Sequence, residues 1–210
     1  MRKWLSENRH ALLMLYMLFY LLAFFTIDRL PLEHHIIRCP LDDCIAFNQY
    51  MLLPYALWFV WFPGWLLWFL FRAPREFIRL ALVMFTGMSI SLLIYLIWPN
   101  GIELREEITG TDLCSRLVGL IRAADTPYGV CPSIHVSTIT AIALSVHGSS
   151  RAELTAPVRC AVYFITLLIC WSTMAIKQHS IVDVAAGMLL SLILYLIFNL
   201  TVNKGHETIH

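Results

Sequence analysis

Two short polar strings are set into apolar sequence: Cys131-Pro132-Ser133-Ile134-His135, and Ser172-Thr173 followed by Lys177-Gln178-His179 and Asp183. Ionisable groups inside or beside lipid-spanning helices are costly, so they mark working sites. Two histidines, a carboxylate, hydroxyls and a cation are the groups needed to hold and transfer a phosphoryl group. One imidazole can attack phosphorus, the other can carry the proton, and donors can neutralise the charge. His179 and Asp183 are four apart, on one face of a helical turn. Asp183 can accept from one imidazole nitrogen, fix the tautomer and leave the other as nucleophile or base. The same pair also suits a proton relay or a structural bridge. Pro132-Ser133 opens a helix whose free N–H groups and dipole form an anion seat, or simply a cap.

The elements that carry these strings belong to a membrane protein. Of 210 residues, 59% are hydrophobic and only 14% charged, against an apolar share of about 45–50% in soluble domains. No polar stretch is long enough to build a separate core, so residues 1–210 read as one integral domain. The net charge of +1 carries no basic stripe, and nucleic-acid binding is excluded. Six segments have the length and apolarity of crossings: 11 to 27, 50 to 71, 78 to 98, 133 to 148, 159 to 176 and 180 to 200. The expected fold is an all-α membrane protein, a six-transmembrane-helix bundle. The first run follows Arg2, Lys3 and Arg9 like a signal peptide but offers no small-x-small cleavage pattern, and reads as a retained helix. Pro54 and Pro63 are expected to kink the second helix. The fourth, with Ser137, Thr138 and Thr140, belongs inside the bundle. The stretch from 159 to 200 is too long for one crossing, and its polar interruption at Lys177 to Ser180 is where it must turn.

Six crossings put both termini on one side, with nine of the fifteen Lys and Arg residues. The positive-inside rule makes that side cytoplasmic. Both strings and the loop from 99 to 132 then face outward, as do Cys39, Cys44, Cys114 and Cys131, where disulfides are allowed but their pairing is not readable. Trp58, Trp61, Trp65 and Trp68 on the second helix suggest a face turned to lipid, or to a second copy in a homo-oligomer.

The spacing of the strings resembles the type 2 phosphatidic acid phosphatase superfamily, six-helix enzymes with signatures Lys-x6-Arg-Pro, Pro-Ser-Gly-His and Ser-Arg-x5-His-x3-Asp. The second is similar to Pro132-Ser133-Ile134-His135, and the third to Ser172-Thr173, five residues, His179, three residues, Asp183. Asp125-Thr126-Pro127-Tyr128 and Lys177-Gln178-His179 look like a bacterial branch related to inositol phosphorylceramide and sphingomyelin synthases. The resemblance covers roughly residues 95 to 190. It implies that His179 takes the phosphoryl group as phosphohistidine, with Asp183 raising its basicity and His135 moving the proton. It also implies Ser133 and Ser172 as phosphate ligands, and no metal or other cofactor. The chain departs from the pattern at Trp98, Glu106, Ile134 and Thr173. Of the expected cations Arg105 survives, and Lys177 lies close enough to replace one. Asp125 and Tyr128 are candidates for contact with the lipid head group or an acceptor alcohol.

The expectation is a lipid phosphatase hydrolysing a phosphomonoester or pyrophosphate at the outer leaflet, in a bacterial cytoplasmic membrane with the active site on the extracytoplasmic face. Its partners would be a phosphorylated lipid substrate and membrane lipids. A transferase passing the group to ceramide, diacylglycerol or inositol is the nearest alternative. A metal hydrolase using His135, His179 and Asp183, and a lipid transporter or inactive lipid-binding relative, are further ones. No matched pair of interrupted helices supports a transporter.

Overall fold

The computed structural model describes residues 8–207, and their side chains through residue 199. Arg2 and Lys3, which enter the charge count, lie outside the described residues, as does the side chain of Lys204. The main helices among the described residues are α1 Arg9–Ile27, α2 Leu52–Arg72, α3 Pro74–Ile97, α4 Leu113–Ala124, α5 Ile134–Gly148, α6 Ala156–Ala175 and α7 Ile181–Glu207. Five of them, α1, α2, α3, α6 and α7, are long and apolar enough to cross a membrane.

The segment expected as the fourth crossing is shorter. α5 has 15 residues, a rise of about 22 Å at 1.5 Å per residue, less than a hydrocarbon core of about 30 Å. It is the centre of the bundle, packed against α2, α3, α6 and α7. Val136, Ile139, Ala141, Ile142 and Val146 are fully buried on it. Its small and hydroxyl residues allow close approach, as expected of an interior helix. α7 crosses it at Gly187, where a Cβ would stand 2.6 Å from the Ser133 carbonyl oxygen. One turn further on, Ser191 donates to the Ser137 carbonyl at 2.6 Å. These contacts hold the two strings to each other.

α1 lies on the outside of α3, with Tyr16 stacked on Phe85 at 4.5 Å between centroids and its hydroxyl 2.8 Å from Ser89 Oγ. Much of the rest of α1, including Leu18 and Leu22, is exposed, as a lipid-facing helix would be. α2 runs through Pro63 without interruption, and Pro54 falls in its first turn, where a missing N–H costs nothing. The tryptophans of α2 are not a free outer face. Trp58, Trp61, Trp65 and Trp68 are all partly buried and pack against the core.

Residues 99–132, expected as a loop, contain α4. Asp112 caps it by accepting from Ser115 N, and Val118 joins Leu52, Tyr55 and Ile176 in a small outer cluster. A search for crossings overlooks such a helix, since 12 residues are too few to span. Ahead of α5, buried Asn100 pins the chain: its Oδ1 accepts from Val130 N and Cys131 N, and its Nδ2 donates to the Cys131 carbonyl. The flanking residues His35–Ile36 and Asn100–Gly101 pair as two short parallel strands, β1 and β2. All six cysteines are free thiols.

Candidate active site

The turn between α6 and α7 shapes the site. α6 ends in a Schellman motif: Gln178 N donates to Thr173 O and Lys177 N to Met174 O, which satisfies carbonyls at the helix end. Lys177 takes the left-handed position, φ 59°, where glycine is usual and a side chain costs energy. Its own Nζ offsets that cost by donating to the Asp42 carbonyl at 3.0 Å and facing Glu106 at 3.7 Å.

α7 then begins with a capping box. Ser180 Oγ accepts from Val182 N, and Asp183 Oδ1 accepts from Ser180 N at 2.9 Å. The second oxygen, Asp183 Oδ2, receives His179 Nδ1–H at 2.7 Å. One buried carboxylate thus serves both as helix cap and as the partner that fixes the imidazole. Beneath it lies a second carboxylate, Asp42, 2% exposed. It accepts from Ser180 Oγ at 2.7 Å, Ile181 N at 2.8 Å and Cys39 N at 2.8 Å.

His179 Nε2 meets His135 Nδ1 at 3.2 Å. His135 Nε2 in turn lies 3.1 Å from the Tyr55 hydroxyl, and Trp58 closes over the ring at 4.4 Å. The tautomers follow from the acceptor at the far end. A carboxylate only accepts, so His179 carries its proton on Nδ1 and presents a lone pair on Nε2. His135 then donates from Nδ1 to that lone pair, and its own Nε2 accepts from Tyr55. The four residues make one continuous chain from phenol to carboxylate.

Both histidines line a cavity of about 260 Å³. Its apolar wall comes from Tyr20, Phe24 and Phe25 on α1 and from Tyr55, Trp58 and Phe59 on α2. Its polar end holds Asp125, Gln178, His135 and His179. Withdrawal from water pushes the Asp125 carboxyl above its usual range, while His179 and Arg105 pull it back. The same desolvation lowers the Arg105 guanidinium, opposed by Asp125.

The structure brings together some of the residues singled out by sequence and separates others. His135, His179 and Asp183 are in direct contact. Asp125 and Tyr128 line the cavity, Tyr128 stacked on His34 at 3.8 Å. Arg105 reaches the site indirectly, donating to the Asp125 carbonyl at 2.8 Å and to Gln178 Oε1. Lys177 is turned away, onto Asp42 and Glu106. Ser172 is fully buried with its hydroxyl on the Ile169 carbonyl, and Ser133 caps α5 by accepting from Val136 N; neither lines the cavity. Thr173 donates its hydroxyl to the Cys170 carbonyl. Among the described residues no group of three His, Cys, Asp or Glu side chains forms a metal-ligand set.

Three residues of the site carry no role in the sequence reading. Tyr55 is one of several aromatics on α2 and nothing in the local pattern marks it. Asp42 follows Cys39-Pro40 in an acidic loop; its capping of α7 is a long-range fact. Gln178 sits beside His179 in the second string, and that adjacency was the available signal.

An apolar helical bundle with a histidine–histidine–carboxylate chain at one end is the architecture in hand. No protein-family profile matches the chain, and no curated protein matches it. Among solved structures, the crystal structure of Aquifex aeolicus LpxE aligns with a TM-score of 0.50 and 18% identity, over 85% of this chain and 93% of that one. At that identity the likeness is one of fold.

Proposed function

We propose that this chain is an integral-membrane lipid phosphatase that works through a phosphohistidine on His179. The observation that carries the reading is the ordered chain Tyr55–His135–His179–Asp183, which leaves a lone pair on His179 Nε2 facing the proton of His135 Nδ1. The fold likeness to Aquifex aeolicus LpxE and the resemblance of the two strings to type 2 phosphatidic acid phosphatases support the same class. The aromatic cavity wall suits an acyl or prenyl chain, and the excess of Lys and Arg on the side of the termini supports a site on the extracytoplasmic face.

The phosphoryl group enters between the two imidazoles, which part to admit it. His179 Nε2 attacks phosphorus and the bond from phosphorus to the lipid oxygen breaks; that oxygen takes the Nδ1 proton of His135. His135 enters this step as an imidazolium, with its second proton on Nε2, supplied by the phosphate monoanion on binding and held by the Tyr55 oxygen, and leaves it as neutral imidazole. Asp183 holds the positive charge that appears on the His179 ring. A water then loses a proton to His135 Nδ1 and attacks phosphorus. The P–N bond breaks, and phosphate leaves with His179 restored. Asp125 at the cavity end could orient an alcohol in place of that water, which is the route to transfer.

The test is phosphate release by the purified protein over a panel of lipid monophosphates and polyprenyl pyrophosphates, with chelator, and with and without ceramide, diacylglycerol or inositol. Release that survives chelation and is lost in His179→Ala supports hydrolysis through His179. A lipid product formed only with an acceptor moves the reading to transfer. Full activity in His179→Ala overturns it.

A further inference from the structure

We propose that the side-chain amide of Gln178 donates to the transferring phosphoryl group. The inference rests on the reading above that a phosphoryl group occupies this cavity. The orientation of the amide is fixed by its neighbour. Arg105 Nη2 meets Gln178 at its amide oxygen, and a guanidinium has donors only, so Nε2 must point elsewhere. That nitrogen is buried and has no hydrogen-bond partner, on a residue only 3% exposed. Buried amide donors are seldom left unpaired without a reason, and an absent ligand is one. Gln178 lines the same cavity as His135 and His179 and directly precedes the nucleophile in the chain.

The surrounding charges explain why a neutral donor is needed. The Lys177 ammonium is engaged by the Asp42 carbonyl and Glu106. Arg105 commits both Nη groups to the Arg122 carbonyl, the Asp125 carbonyl and Gln178 Oε1, leaving only its buried Nε without a partner. By bonding Oε1 it polarises the amide, which strengthens Nε2–H as a donor. The ligand class is a tetrahedral phosphoryl oxyanion.

Two substitutions separate this role from a structural one. Gln178→Glu keeps an oxygen for Arg105 but replaces the donor with an acceptor. If Gln178 only anchors Arg105, the change is harmless or stabilising. If its amide holds the anion, Gln178→Glu is worse than Gln178→Ala. The measurement is binding of inorganic phosphate and orthovanadate to the full-length protein in detergent, with melting temperature in parallel. Expected is about tenfold weaker binding in Gln178→Ala, the loss of one hydrogen bond to a charged group, and weaker still in Gln178→Glu, whose melting temperature is at or above that of the wild type. Wild-type affinity in Gln178→Glu, or no binding of either anion by the wild type, overturns the proposal. Binding that depends on Gln178 in a protein that turns over no lipid phosphate supports the amide while removing the reaction proposed above.

Discussion

Ser180 donates its hydroxyl to Asp42 at 2.7 Å, although 138 residues separate the two in the chain. Ile181 N and Cys39 N converge on the same carboxylate, and Lys177 Nζ takes its backbone carbonyl. The mouth of α7, and with it His179 and Asp183, is therefore anchored on the loop between α1 and α2. The position of His179 depends on a residue far from it in sequence.

Asp42→Asn is expected to lower the melting temperature in detergent, by an amount equivalent to about 1–3 kcal/mol. The amide turns an NH2 toward groups that themselves donate, leaving buried donors unpaired. Asp43, which makes an exposed pair with Arg38, is the control. Asp43→Asn should change stability by no more than about 0.5 kcal/mol.

Lys177 has two structural duties that can be separated. Lys177→Ala loses the Nζ contacts and keeps the left-handed strain, whereas Lys177→Gly loses the contacts and relieves the strain. The glycine variant is expected to be more stable than the alanine variant by about 1 kcal/mol, measured by thermal or denaturant unfolding. Because Nζ is turned onto Asp42 and Glu106, both variants should keep the wild-type KM; a KM raised in both would argue for Lys177 as a phosphate ligand.

Tyr55→Phe removes the hydroxyl that holds His135 Nε2 and leaves the ring in place. The expected result is a kcat lowered roughly fivefold to tenfold, the rate equivalent of about 1 kcal/mol for one hydrogen bond, with KM little changed. The pH profile of kcat should move on its His135 limb, which loss of packing alone would not cause.

The Asp125 carboxyl is pushed above its usual 3.8 chiefly by desolvation. Its ionised form is thus disfavoured in the fold. Relative to acid, stability is present below the usual carboxylate pKa and is lost as pH rises through the raised value. Asp125→Asn has no charge to lose. It should melt higher than wild type at pH 7, and the difference should close toward pH 4; a gap that is the same at both pH values would contradict desolvation as the cause.

The pairing of His179 with Asp183, and the place of His135 at a helix start, were readable in the sequence because spacing within single helices is a local property. The i,i+4 pair and the Pro-Ser start each lie within one turn, and the turn at Lys177 to Ser180 is forced by an apolar stretch too long for one crossing. What stayed hidden is long-range. Asp42 under Ser180, Tyr55 on His135 and Arg105 on Gln178 are contacts between segments that no periodicity links. Ser133 and Ser172 were assigned to phosphate by resemblance, yet their hydroxyls are engaged with their own helices, the usual competition for serine at a helix end. α5, read from the sequence as a crossing over 133 to 148, forms as a helix of 15 residues at the bundle centre.

The most direct measurement is to quench the enzyme during turnover of a lipid carrying labelled phosphate and locate the label by peptide mass spectrometry. An acid-labile, alkali-stable phosphoryl group on His179, absent in His179→Ala and accumulating in His135→Ala as its release slows, is the expected result. Turnover of the same lipid with no label on His179 at any time point would contradict a covalent route through this residue.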